Sequence, residues 1–283
     1  MKLGLFFSKN IKFDEVEVIL NDLSFFNSEF FILESFKVVN HFENIFCCEN
    51  EEKLISKSDI ILAFGGDGTI IRALKASSVY GKPVFGVNCG CLGFLAGSEK
   101  NDLNKIEKIL NGEYTVENRL MLECMCEGKK FLSVNDIVIG RGTFSSIAKY
   151  TVFKENSVKI CSCISDGIII STPVGSTAYS LSSGGPIVDP DLNCLILTPI
   201  CPHDLNNRSL VVNSNFKICV DYKIKKNSEI NVFVDGEVCF SDNKDGSINI
   251  EASVLSAKFV KLNDDDFYCN LEKKIIKNVF NNY

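Results

Sequence analysis

The stretch IILAFGGDGT, residues 60–69, decides how the first part of this chain folds. Five apolar residues in a row, closed by two glycines, read as a parallel strand buried on both faces, since a strand with one wet face would alternate. The IIRALKASS that follows has its apolar residues at helical spacing. Asp67 therefore falls at a strand-to-helix corner, and in open α/β sheets ligands bind at the carboxyl ends of the strands. Glycines at such a corner let the backbone come close to a ligand, and successive N–H groups there cradle phosphate oxygens. A carboxylate in the middle of that cradle repels an anion unless it has chemistry to do. Taking a proton from a hydroxyl beside the phosphates, or holding a divalent cation between them, are two such tasks, and both belong to phosphoryl transfer. The plainer alternative is a tight turn whose aspartate caps the helix beginning near Thr69.

On the amino side, residues 2–7 read as a strand, 14–23 as a helix with Val16, Ile19, Leu20 and Leu23 on one face, and 36–39 as a short strand. On the carboxyl side come a strand at 83–87 and a helix at 102–110, capped by Asp102 and stopped near Gly112. This alternation predicts a parallel sheet covered by helices, a Rossmann-like α/β domain over residues 1–113. From about residue 114 the period changes. Strands follow one another without helices, at 120–126, 131–139, 147–153, 158–164, 195–198, 210–212, 216–224, 229–234 and 248–254, with a turn at Asp235 and Gly236. The expected fold class is α/β plus all-β: the N-terminal α/β domain is followed by a C-terminal β-sandwich domain over 114–263. The tail 264–283 spaces Phe267, Leu271, Ile275 and Val279 four apart, which predicts a C-terminal helix returning to the first domain.

With 283 residues, 46% of them hydrophobic and 23% charged, the chain is long enough for a large core and carries no signal of disorder. A net charge of −6 without a basic stripe argues against nucleic acid as a partner. The apolar part of MKLGLFFSKN is too short for a signal peptide and no later run spans a bilayer, so no membrane partner and a cytoplasmic location are expected. Thirteen cysteines, many inside apolar strand-like runs, read as small buried hydrophobes. Cys124 with Cys126 and Cys161 with Cys163 share a strand face, but two histidines and no C-x-x-C pair predict no structural metal site.

The β region is interrupted by residues 165–208, which hold five of the six prolines and the hydroxyl-rich GSTAYSLSS. A proline-rich loop between buried strands is costly to order unless it binds something. Ser176 is the candidate cap of a helix starting there, with Tyr179 facing a ligand or packed beneath one. In the first domain, NCGCLGFLAG at 88–97 places Phe94 between glycines at the same sheet edge as Asp67, where it can pack against a base; Leu92 reads as a core anchor.

Taken together and in order, GGDGT at 65–69, LGFLAG at 92–97, VNDIVIG at 134–140, SDGIIISTPVGSTAYSLSSGGPIV at 165–188 and LTPICPH at 197–203 resemble the NAD kinase family over nearly the whole chain. The resemblance implies Mg²⁺-dependent transfer of the terminal phosphate of ATP to the 2′-hydroxyl of the adenosine ribose of NAD, giving NADP, by a homodimer or homotetramer. It implies that Asp67 deprotonates the acceptor hydroxyl. Gly65, Gly66, Gly68 and Thr69 would line the phosphate loop, with Arg72 counted in the same binding set. Asn135 and Asp136 would hold the adenosine portion, Phe94 would border the dinucleotide, and Asp166 would reach a neighbouring subunit's ligand. Thr177, Ala178, Tyr179 and Ser182 would surround the base. The magnesium would be held mainly by the ATP phosphates, with Asp67 as a candidate further ligand. Cys91 stands where the family often has His or Asn, which makes it a candidate target for thiol reagents. Ile164 stands near a place often occupied by a basic residue, Val174 replaces a frequent threonine, and His203 has no assigned role. A lipid kinase built on the same loop and a non-catalytic dinucleotide sensor are the competing readings.

Overall fold

The computed structural model describes residues 1–36, 42–90, 93–99, 102–142, 147–155, 158–204, 206–225, 228–262 and 267–272. Two units divide the chain: 1–118 with 257–283, and 119–256.

Unit 1 runs β1 (Lys2–Phe7), α1 (Phe13–Ser24), β2 (Glu29–Leu33), β3 (Ile45–Cys48), α2 (Glu51–Lys57), β4 (Ile60–Phe64), α3 (Asp67–Ser78), β5 (Val84–Asn88), β6 (Ser98–Glu99) and α4 (Leu103–Leu110). Its strands lie in the order β3-β2-β1-β4-β5, each pair parallel. All five residues of β4 are buried, as an uninterrupted apolar run requires. Alternate residues serve the two faces. Leu3, Leu5, Phe7, Ile60, Leu62, Phe64, Phe85 and Val87 pack with Val16, Ile19, Leu20 and Leu23 of α1 and Ile106 and Ile109 of α4. The opposite face receives α2 and α3, and does so closely because Gly4 and Gly86 have no side chain. A Cβ on Gly4 would sit 2.8 Å from Leu54, and one on Gly86 would sit 2.6 Å from Ile70. The strand order reverses between β1 and β4, so the crevice at the carboxyl end of β4 is the ligand position of such a sheet.

One expected strand shifts. The second strand is Glu29–Leu33. Phe36 of the expected 36–39 strand closes a 3₁₀ turn, and the remainder of that strand lies outside the described residues. The seven-residue α2 had not been expected; its N-cap is Asn50, whose side chain accepts from the Lys53 N–H at 2.9 Å. Asp102 stands at the N-cap of α4 without a side-chain capping bond.

The long strands β7 (Thr115–Cys126) and, later, β18 (Gly246–Lys261) each cross the unit boundary. Between them unit 2 holds β8 (Lys129–Ser133), β9 (Asp136–Arg141), β10 (Ala148–Lys154), β11 (Val158–Ser165), β12 (Gly167–Ser171), α5 (Tyr179–Ser182), β13 (Cys194–Ile200), β14 (Leu210–Asn213), β15 (Ile218–Lys223), β16 (Ile230–Val234) and β17 (Glu237–Asp242). One sheet has the order β14-β13-β12-β9-β16-β17, antiparallel throughout. β10, β11 and β15 form the other with β18, and β7 pairs with β8 and β18. Residues two apart, such as Ile137 and Ile139, Ile168 and Ile170, and Leu195 and Leu197, meet Tyr150, Val152, Val220 and Tyr222 of the facing sheet in one core, as a sandwich requires. Cys124, Cys126 and Cys163 belong to that core, and burial holds the thiol of Cys163 above its ordinary range. Of the returning helix, α6 (Phe267–Leu271) is described, in a segment grouped with unit 1; residues 273–283 lie outside the described set.

Candidate functional site

The glycine-rich corner of unit 1 follows β4 directly. Gly66 is the N-cap of α3 and Asp67 its first residue. Asp67 does not cap its own helix. Its carboxylate turns to the loop after β5, where the backbone N–H of Phe94 donates to Oδ2 at 2.8 Å and that of Leu95 to Oδ1 at 3.0 Å. The corner GGDGT and the block around Phe94 are thus joined through one side chain, and Gly93 makes the junction possible, since a Cβ there would overlap Asp67 Oδ1. Gly65 is fixed in the same way by Thr69, whose Oγ1 would lie 2.5 Å from an added Cβ. Gly66 and Gly68 differ: an added Cβ would meet nothing within 4 Å at either. Nothing in the described chain requires glycine at these two places, which leaves the backbone of the helix start open to a ligand. Arg72 stacks its guanidinium 4.5 Å from the centre of the Phe6 ring and donates from Nη2 to the Phe7 carbonyl at 3.0 Å. Cys91 and Leu92 lie outside the described residues.

Unit 2 holds a cavity of about 500 Å³ lined by Asn135, Asp136, Val138, Gly140, Arg141, Asp166, Ala178, Tyr179, Ile200, Phe233, Asp235 and Gly236. Three separate sequence blocks come together to make it. β9 pairs with β12 in a register that sets Asp136 against Ser171, and β12 pairs with β13 so that Ile169 lies opposite Thr198. The STP turn is then locked onto the VND turn. Thr172 donates from N to the Asn135 carbonyl at 2.8 Å and from Oγ1 to the Val134 carbonyl at 2.7 Å. Gly175 approaches so closely that a Cβ would overlap the Asn135 carbonyl. Ser180 and Thr198 hydroxyls meet at 2.9 Å, fastening the STAYS turn to β13.

Ser176 is not a helix cap. It lies in a 3₁₀ turn, Val174–Thr177, where its hydroxyl accepts from the Val188 N–H at 3.1 Å, and the helix that follows is the single turn α5. Asn135, Asp136, Asp166, Ala178 and Tyr179 line the cavity, with Tyr179 exposed. Thr177 and Ser182 are not among the lining residues; Thr177 donates its hydroxyl to the Val174 carbonyl at 3.3 Å, and Ser182 is exposed.

The polar groups of the cavity are unequally satisfied. Arg141 Nη2 and Asp166 Oδ2 form an ion pair at 3.0 Å. Asn135 Oδ1 is buried with no hydrogen-bond partner among the described residues. Asp136 is 5% exposed, and burial, with the charge of Asp235 adding to it, pushes its carboxyl up to about 7. A lone amide oxygen beside a carboxyl is an acceptor set without donors, which a ligand rich in hydroxyl groups would complete. Asp235, Arg141, Ile200 and Phe233 were missed from the sequence. Only Asp235 left a local sign there, the Asp-Gly pair after an apolar run, and that sign reads as a hairpin turn.

A glycine-rich helix start at the switch point of a parallel sheet belongs to an enzyme that handles nucleotides or their phosphates. Comparison with known proteins narrows this. The ATP-NAD kinase N-terminal domain matches residues 38–114 and the ATP-NAD kinase C-terminal domain residues 134–262. The NAD kinase of Clostridium botulinum strain Loch Maree is 40% identical over 232 residues, 80% of this chain and 81% of the relative. That of Thermoanaerobacter sp. strain X514 is 39% identical over 228 residues, 78% and 80% of the two chains. Among solved structures, an NAD kinase from Archaeoglobus fulgidus in complex with ATP has a TM-score of 0.75 at 26% identity, covering 98% of this chain and 99% of that one. Yeast NADH kinase in complex with NADH has a TM-score of 0.85 and covers 98% and 87%; at 21% identity it speaks for the fold alone. The chain belongs to the ATP-NAD kinase family and is accordingly an ATP-dependent phosphotransferase that acts on NAD.

Proposed function

We propose that this chain transfers the γ-phosphate of ATP to the 2′-hydroxyl of the adenosine ribose of NAD, giving NADP, with Asp67 as the group that takes the hydroxyl proton. The observation that carries the acceptor half is the orphaned Asn135 Oδ1 beside the buried carboxyl of Asp136, a pair of acceptors suited to neighbouring ribose hydroxyls. Asn135 and Asp136 hold the adenosine portion in this reading, with Ala178 and Tyr179 against the base and Asp166 further along the wall. The phosphates lie against Gly66 and Gly68 at the start of α3, where backbone N–H groups and the helix dipole favour negative charge.

Phosphoryl transfer asks little covalent chemistry of a protein, so positioning and charge neutralisation supply most of the rate. Asp67 suits the base's task. Its two N–H partners fix the plane of the carboxylate, and each oxygen, holding two lone pairs, keeps one for the incoming hydroxyl. A base so placed contributes on the order of 10²–10⁴ in rate. Among the described residues no three His, Cys, Asp or Glu side chains gather as a metal cage. In this reading the divalent ion is carried by the ATP phosphates, with Asp67 as its protein ligand. When bound, such an ion offsets the negative charge of the phosphoryl group. We place the enzyme in the cytoplasm as a homodimer or homotetramer; among the described residues no helix is long and apolar enough to cross a membrane.

The test is NADP formation from NAD, ATP and Mg²⁺ by wild type and Asp67→Asn, with NAD and ATP binding measured on both. The binding arm matters because asparagine has one acceptor oxygen, so the Phe94 or the Leu95 N–H loses its partner in the variant. Activity lost by two orders of magnitude or more with binding kept assigns the base. Activity and binding lost together would make Asp67 a loop anchor instead, and wild type that binds NAD without forming NADP would make the chain a sensor.

A further inference from the structure

Asp235 sits in the turn between β16 and β17, with φ of 49°, followed by Gly236 at 82°. A hairpin turn with both central residues left-handed accounts for an Asp-Gly pair. It does not account for what the side chain does. β16 pairs with β9, and the Asp235 N–H donates to the Asp136 carbonyl at 3.0 Å, so the carboxylate lies over the segment that precedes β9. There Oδ1 accepts from the Ser133 hydroxyl at 2.7 Å, the Asn135 N–H at 2.8 Å and the Asp136 N–H at 3.3 Å, and Oδ2 accepts from the Val134 N–H at 3.1 Å. Four successive residues, 133–136, are held by one side chain, and two of them are the acceptor-bearing Asn135 and Asp136.

We propose that Asp235 is a positioning residue of the reaction, which holds the Asn135–Asp136 segment so that both side chains present acceptors to the ribose hydroxyls of the dinucleotide. This rests on the cavity being the NAD pocket. A second carboxylate against a buried one costs stability, and a clamp needed only for the fold would be served by a neutral acceptor. The like charge has a use at this site: together with burial it disfavours the ionised form of Asp136 and brings its carboxyl up to about 7. Its consequence is a binding site that responds to pH. Asp136 is faced by Asp235 from the β16–β17 turn. The other charged groups on the cavity wall, Arg141 at the end of β9 and Asp166 ahead of β12, pair with each other, and the remaining titratable group is Tyr179 of α5. As pH falls through about 7, Asp136 takes up a proton and loses acceptor capacity. NAD then binds more weakly.

The experiment is calorimetric titration of NAD into the full chain between about pH 5.5 and 8.5, for wild type, Asp235→Asn and Asp235→Ala, with steady-state kinetics alongside. For wild type, Kd rises as pH drops below about 7. In Asp235→Asn the like charge is gone but Oδ1 is kept, so the onset of weakening moves to lower pH. At pH 8 its affinity is about threefold to tenfold below wild type, and KM for NAD rises by more than kcat falls. Asp235→Ala loses the acceptor as well and binds NAD at least threefold more weakly than Asp235→Asn. A flat wild-type profile, an unmoved onset in Asp235→Asn, or equal affinity of the two variants would each overturn the inference and leave the kinase reading standing. Failure of wild type to bind NAD at any pH would remove both. Should Asp235→Ala not fold, as its unliganded melting curve would show, the onset in Asp235→Asn decides alone.

Discussion

The corner of unit 1 and the cavity of unit 2 both centre on an aspartate, and they treat it in opposite ways. Each oxygen of Asp67 accepts one backbone N–H, from Phe94 and from Leu95, and Arg72 nearby in sequence is stacked on Phe6 and bonded to the Phe7 carbonyl. Asp136 is buried with a second carboxylate beside it, and Asn135 Oδ1 next to it in sequence has no partner among the described residues. The first aspartate is preorganised by the protein's own backbone; the second is left short of donors that a ligand must bring. Preorganisation suits a group that acts on a transition state, whereas an unsatisfied acceptor set suits selection of a ligand.

The largest effect expected from this contrast is at Gly93, whose Cβ would take the place of Asp67 Oδ1. Gly93→Ala should force the carboxylate off its two N–H partners and lower kcat/KM for NADP formation by two orders of magnitude or more. The fold should survive, because the clash is confined to one loop and one side chain. Circular dichroism with a kinetic assay checks both halves. Near-normal activity in a folded Gly93→Ala protein would mean that the Asp67 geometry described above is not the working one.

How much of each site could be read from sequence follows the same division. GGDGT was legible because glycine spacing and an apolar run are local signals. The partners of Asp67 lie 27 and 28 residues away, so no periodicity announces them. STPVGST lay in the unusual proline-rich segment, while VND read from the residues as part of a plain strand at 131–139 and entered through the resemblance; their union depends on the β9–β12 register, which pairing partners set and local propensity does not. Ser176 looked like a cap since Ser before an apolar turn has that form; tertiary contact with Val188 outcompetes it. α2 was missed because seven residues give too little periodicity, although Asn50 followed by Glu51 and Glu52 is a start signal. Asp235 announced its turn, while its four acceptor contacts fall about 100 positions away.

A smaller effect, opposite in sign for stability and for binding, is expected at Asp136. Its folded carboxyl stands at about 7 against an ordinary 3.8. A group raised on folding contributes stability in full below its unfolded value and loses it as pH rises through the folded one. The unliganded protein should therefore lose stability between about pH 4 and pH 7 on account of this residue, by an amount on the order of 4 kcal/mol as an upper bound. Asp136→Asn removes that loss. At pH 8 it should melt several degrees above wild type without ligand, yet gain less than wild type from added NAD. At pH 4 the two unliganded melting temperatures should converge. A variant less stable than wild type at pH 8 would show that Asp136 is held by donors after all, and the contrast between the two aspartates would fail.

The smallest stability effect separates the two kinds of glycine in the corner. Gly65 is fixed by Thr69, but Gly68, in the first turn of α3, is open on its Cβ side. Gly68→Ala introduces no contact inside the chain and lowers the entropy lost on folding, worth up to about 1 kcal/mol in a helix interior and less in a first turn. The unliganded melting temperature should stay level or rise by about 2 °C. If the phosphates of ATP lie against this backbone, the added methyl keeps them away from the N–H groups, and turnover should fall at least tenfold with KM for ATP raised. Unaltered turnover and KM in a slightly stabilised Gly68→Ala would place the phosphates elsewhere. A folded and slightly stabilised protein that no longer uses ATP would instead show a glycine kept for its ligand, at a position where the chain itself would fold as well with alanine.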